Sequence, residues 1–163
     1  MLFRSLSVQY DHLDARHYLH ISQQKKREGS KPSIISSVNK AFLYIQAKTF
    51  LKKDDITGYL EILEKIIASN PNDYETLKNI ADIFYKKGMA LHAISNLEEA
   101  RLANPKDIDI LKKLGELYIK REDYHNAKTA YDSALKINPN DTEALKSLKN
   151  LDALGTIKRE FTA

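Results

Sequence analysis

The chain has 163 residues, 26 Lys/Arg against 22 Asp/Glu, a net charge of +4 and no cysteine. The length suits one domain or one stack of repeats, and the missing thiols exclude disulfide and cysteine chemistry. No apolar run approaches the ~18 residues that would mark a membrane span.

The excess positive charge is local: residues 1–33 hold six Lys/Arg and three Asp/Glu, whereas the remainder holds twenty and nineteen. Met1–Tyr10 carries Arg4 but lacks the apolar run of roughly 7–15 residues that follows the basic end of a secretory signal. Leu2, Ser5 and Leu6 fall on the columns of Tyr131, Ala134 and Leu135. The chain is therefore expected to begin inside a repeat, as a fragment of a longer multi-repeat protein. Residues 1–28 read as partial, degenerate repeat helices with Ala15, Tyr18, Leu19 and Ser22 on their buried side. His12, His17 and His20 lie here without the three or four ligands a metal site needs, so no metal and no cofactor is expected. The cluster Lys25, Lys26, Arg27 and Lys31 lacks interleaved aromatics and reads as a solvated segment, so nucleic acid is not the expected partner. Residues 29–33, with glycine, proline and serine and no apolar side chain, form a linker.

Ser33 is placed to cap a helix from Ile34 to about Leu51, with Ile34, Ile35, Val38, Ala41, Phe42, Ile45 and Leu51 as its apolar residues. A turn at Lys52–Asp55 leads to a second helix, about Ile56–Ser69. Residues 34–71 make one unit, 72–105 a second and 106–139 a third. Asn70-Pro71, Asn104-Pro105 and Asn138-Pro139 punctuate them at intervals of 34 residues, a helix-turn-helix period. Overlaying the last two units pairs Leu77 with Leu111, Ile80 with Leu114, Ala81 with Gly115, Ile83 with Leu117 and Phe84 with Tyr118. Further on, Ala93 pairs with Ala127, Leu97 with Tyr131 and Ala100 with Ala134. Both sets follow the spacing of one helix face. The small residues belong where helix axes approach to about 8–10 Å, and the aromatics fill the space beside them. Asp73, Asp107, Asp123 and Asp141 stand where they can cap the helices that follow. In the first unit Leu43, Ala47 and Phe50 fit the columns, but Tyr59 replaces an alanine, so a more open crossing is expected there. His92 and His125 recur near one turn and read as surface residues. Leu145, Leu148 and Leu151 continue the columns into a terminal helix over 140–157, with 158–163 as tail.

These residues resemble the tetratricopeptide repeat family: Leu77, Ala81, Phe84, Ala93, Leu97, Ala100 and Pro105, then Leu111, Gly115, Tyr118, Ala127, Tyr131, Ala134 and Pro139. The resemblance implies an all-α, right-handed superhelical solenoid of antiparallel helix pairs, about nine helices in all. It also implies a non-catalytic scaffold or adaptor, cytoplasmic, that binds a protein or peptide on its concave face. The residues between the packing columns would line that face: Tyr44, Lys48 and Lys52; Glu75, Lys78, Asn79, Asp82, Tyr85 and Lys86; then Asp109, Lys112, Lys113, Glu116, Ile119 and Lys120. Lysines beside Tyr44 and Tyr85 would suit an extended peptide with acidic groups and an apolar side chain. Some family members clamp a terminal carboxylate with two lysines, two asparagines and an arginine. Only Asn79 and Lys113 match that set, while Tyr44, Lys48 and Asp109 occupy other positions of it, so no such clamp is expected. Two other readings stay open, a regulatory or substrate-recruiting segment of a larger enzyme and a helical-repeat RNA-binding protein. The sequence says nothing of oligomeric state.

Overall fold

The computed structural model describes residues 34–161. The segments expected over 1–28 and 29–33, with their histidines and basic cluster, lie outside the described residues. Seven helices follow in order: α1 (Ile34–Lys52), α2 (Ile56–Ser69), α3 (Tyr74–Lys86), α4 (Ala90–Ala103), α5 (Ile108–Lys120), α6 (Tyr124–Ile137) and α7 (Thr142–Phe161). No strand occurs among the described residues. The last helix runs through Phe161, into residues 158–163 where a tail was expected. Two compact units divide at Ile80/Ala81, within α3.

The Asn-Pro pairs end helices for a definable reason. A residue before proline is pushed out of the helical region, and Asn70, Asn104 and Asn138 adopt φ near −141°, −138° and −130°. Each still donates its N–H back into the helix it closes, to Ile66, Ala100 and Ala134. The aspartates then start the next helices. Asp73 accepts from Thr76 N at 3.2 Å, Asp107 from Ile110 N at 3.1 Å, Asp123 from Asn126 N at 3.2 Å and Asp141 from Ala144 N at 2.9 Å. Asp55, read from sequence only as part of a turn, does the same for Gly58 N at 2.9 Å.

The turns inside the pairs share a second device. Asp54 (φ 54°), Gly88 (φ 75°) and Glu122 (φ 60°) are left-handed and 34 residues apart. After each, the next N–H reaches back five residues, Asp55 to Phe50 O, Met89 to Phe84 O and Asp123 to Tyr118 O, each at 2.9 Å. This bonding satisfies carbonyls at the helix end and requires the residue before it to be left-handed.

In the first unit α1 packs on α2. Tyr59, Leu60, Ile62, Leu63, Ile66 and Ile67 of α2 are buried, as are Ala47, Leu77 and Ile80. Tyr59, in the alanine column, is accommodated because the close approach is made one position earlier: a Cβ on Gly58 would overlap the Phe50 ring. Phe42 and Ile45, expected among the apolar contacts of α1, are each 67% exposed. They lie off the line through Ala47 that faces α2.

In the second unit α4 packs on α5, α5 on α6 and α6 on α7. Leu111, Ala127, Tyr131, Ala134, Ala144 and Leu151 form one core cluster. Gly115 admits the Tyr131 ring, since a Cβ there would lie 2.6 Å from two of its carbons. His92 is not a surface residue: it is half-buried, its ring 5.1 Å from that of Phe84. Leu145 departs from its expected column and stays exposed, because α7 turns Ala144, Leu148 and Leu151 toward α6 instead.

Candidate functional site

The side chains expected to line the face fall into two local sets, one in each unit. In the first unit Tyr44 is committed to internal bonds. Its hydroxyl shares a 2.6 Å hydrogen bond with Thr76 Oγ1 and accepts from Asn79 Nδ2 at 3.3 Å. Lys40 lies over its ring at 5.6 Å and pairs with Asp73 at 2.5 Å. That carboxylate also accepts from the Thr76 hydroxyl. Tyr44 and Asn79 thus tie α1 to α3 rather than stand free. Lys48, Lys52 and Glu75 are exposed and Lys78 is half-buried.

In the second unit the C-terminal half of α3 and the length of α5 bring the other residues together. Lys113 Nζ donates to Asp82 Oδ1 at 2.6 Å. Tyr85 donates its hydroxyl proton to Glu116 Oε1 at 2.5 Å and accepts from Lys120 Nζ. Lys120 also pairs with Glu116 at 3.1 Å and covers the Tyr85 ring at 4.2 Å from its centroid. Toward α7, Lys112 reaches Glu143 at 2.7 Å and Asp141 at 3.5 Å. Three of these contacts, Asp82–Lys113, Tyr85–Glu116 and Lys112–Glu143, join residues 31 apart. That is the repeat length less about one helical turn, so each side chain meets a neighbour one turn along the next first helix.

The ionisations follow these contacts. The Tyr85 hydroxyl bond holds the Glu116 carboxyl below its ordinary range, with Lys120 assisting. Lys120 is raised above the usual lysine value by its bond to Tyr85 and then by Glu116. Lys112 is raised chiefly by Glu143. The ammonium groups on α5 are therefore matched by carboxylates of the same chain. Asp109 and Lys86 are exposed. Ile119, expected on the open face, packs instead against the core cluster of α6 and α7.

Between the charged pairs lies a recess of about 50 Å³, lined by Ala81, Asp82, Tyr85, Leu97, Lys113, Glu116 and Leu117. Ala81, Leu97 and Leu117, each at most 2% exposed, form its apolar floor. Sequence reasoning missed it. Leu97 belongs to α4, so its place beneath the α3 and α5 side chains follows from packing rather than from either helix's own face. Among the described residues no group of acidic or histidine side chains could hold a metal ion. No described helix is long and apolar enough to cross a membrane.

Comparison with known proteins matches residues 88–151 to a family described as Tetratricopeptide repeat. Curated protein sequences gave no match. Solved structures gave many. A first tetratricopeptide repeat domain of Spaghetti (RPAP3), bound to the HSP90 peptide SRMEEVD, is 17% identical with a TM-score of 0.61 over 72% of this chain and 93% of that one. The MamA protein is 18% identical with a TM-score of 0.63, covering 96% and 80%. The Sgt2 domain from Aspergillus fumigatus is 18% identical with a TM-score of 0.59, covering 81% and 85%. At such identities the likeness is one of fold. Taken with the 34-residue columns and the helix-pair architecture, the match identifies residues 88–151 of this chain as tetratricopeptide repeat.

Proposed function

We propose that the chain is a non-catalytic interaction module that binds a protein or peptide along the first helices of its pairs, with the α3–α5 face of the second unit as the principal contact. The observation that carries this reading is the convergence of Asp82, Tyr85, Lys113, Glu116 and Lys120 around an apolar-floored recess. Ion pairs of this kind hold their side chains in place before a partner arrives, which lowers the ordering cost of association. The fold likeness to a domain solved with a bound peptide supports the same reading. Lys86 and Lys112 would extend the contact within the second unit, and Tyr44, Lys48, Lys78 and Asn79 would form a separate set of contacts in the first. A cytoplasmic, scaffolding role belongs to this proposal.

The test is selection from a displayed library of random peptides, with selected sequences titrated into isotopically labelled protein. Amide shifts should concentrate on Asp82–Lys86 and Lys112–Lys120, and a Tyr85→Ala/Lys113→Ala variant with an unchanged circular dichroism spectrum should lose binding. Shifts confined to α4 and α6, or a variant that binds as well as the parent, would refute the assignment.

A further inference from the structure

We infer that the recess between α3 and α5 is an anchoring pocket for one branched aliphatic side chain of an extended, uncharged peptide segment. This rests on the binding role proposed above and specifies the chemistry of its partner.

Size comes first. A recess of about 50 Å³ is roughly three to five times the ~10–15 Å³ that admits a single water. That leaves room for about three or four carbon atoms, the end of a valine, isoleucine or leucine. Its floor of Ala81, Leu97 and Leu117 offers no polar partner to a water, so an apolar group gains by replacing solvent there.

Charge then selects the flanks. The rim carries two carboxylates, Asp82 and Glu116, and the Lys113 ammonium, and Lys120 binds Glu116 from beside it. They are paired with each other at 2.6 and 3.1 Å. An acidic peptide would have to displace Asp82 or Glu116 from its lysine, and a basic peptide would have to displace a lysine. Each exchange trades one ion pair for another with little net gain. Uncharged backbone amides and carbonyls can instead bond to remaining positions on the rim without breaking it. Specificity then lies in the anchor, and affinity should respond weakly to ionic strength.

The experiment uses the full chain and a fixed set of fluorescent peptides. They are uncharged apart from one central position, which is Ala, Val, Ile, Leu, Asp or Lys, in flanks taken from the displayed-library selection or, if that yields none, in a randomised neutral pool. Binding is read by anisotropy at low and moderate salt, and by methyl shifts of Leu97 and Leu117. We expect Val, Ile or Leu peptides to bind at least ~10-fold tighter than the Ala peptide, with less than ~3-fold change across salt and shifts at both leucines. Ala81→Leu should abolish the preference by filling the floor. The methyl shifts in the unaltered protein keep the test decisive if that variant folds poorly. Tightest binding by the Asp peptide, weakening steeply with salt, would overturn the anchor while leaving peptide binding intact. Failure of every peptide here and in the random library would overturn both.

Discussion

Gly115→Ala isolates the packing that defines the second unit. A Cβ at this position would stand 2.6, 2.6 and 2.9 Å from three carbons of the Tyr131 ring, where van der Waals contact needs roughly 3.5–4.0 Å. The ring must therefore retreat by about 1 Å. Tyr131 is only 4% exposed and is enclosed with Leu111, Ala127, Ala134, Ala144 and Leu151, so retreat forces the α5–α6 pair apart. Overpacking of this kind costs about 1–3 kcal/mol, and a clash with an enclosed ring belongs in the upper half of that range. Replacing glycine by alanine in a helix returns about 0.8–1.0 kcal/mol. The net expectation is a loss of about 1–2 kcal/mol, read as a lower urea midpoint with an unchanged slope in far-ultraviolet circular dichroism melts. A Tyr131→Leu background should relieve the clash, so the same glycine change there should cost less. A Gly115→Ala protein more stable than its parent would mean that propensity wins and that Gly115 is not a point of close approach.

Four further outcomes follow from the structure. Glu122→Gly should stabilise by about 0.5–1 kcal/mol in the same melts, because a side chain at φ 60° carries a left-handed cost that glycine escapes. Gly88→Ala should lose about 1 kcal/mol even though nothing lies within 4 Å of the added methyl. Leu114→Ala, at a fully buried position, should cost about 2–5 kcal/mol. Glu116 has its carboxyl pKa depressed on folding, so its contribution to stability is present above the unfolded value near 4.5 and is lost as pH falls through the lower folded value. Tyr85→Phe should move the Glu116 carboxyl upward in a titration followed by side-chain carbon shifts; an unmoved titration would show that the phenol does not govern it.

What could be read from the residues alone was whatever repeats with the chain. The Asn-Pro spacing, the capping aspartates and the small columns at Ala81/Gly115 and Ala93/Ala127 are local or periodic signals, and each marks a helix end or a crossing. The left-handed positions were hidden because only Gly88 has a residue type that announces one; Asp54 and Glu122 share its backbone without its composition. Gly58 was hidden by the alignment itself, which looked for the small residue at Tyr59. The candidate face was legible as a set of positions but not as a set of bonds. Which acid meets which lysine depends on how far one first helix is displaced along the next, a quantity that no single helix encodes.

The two adjacent lysines of α5 point in opposite directions, Lys113 back to Asp82 on α3 and Lys112 onward to Glu143 on α7. A module spliced in after α6 with its own Lys-Lys doublet and an acid at each matching site would fit both flanks without redesign. The doublet behaves as a coupling with a socket on either side, and α5–α6 is the natural spare part for anyone lengthening the protein.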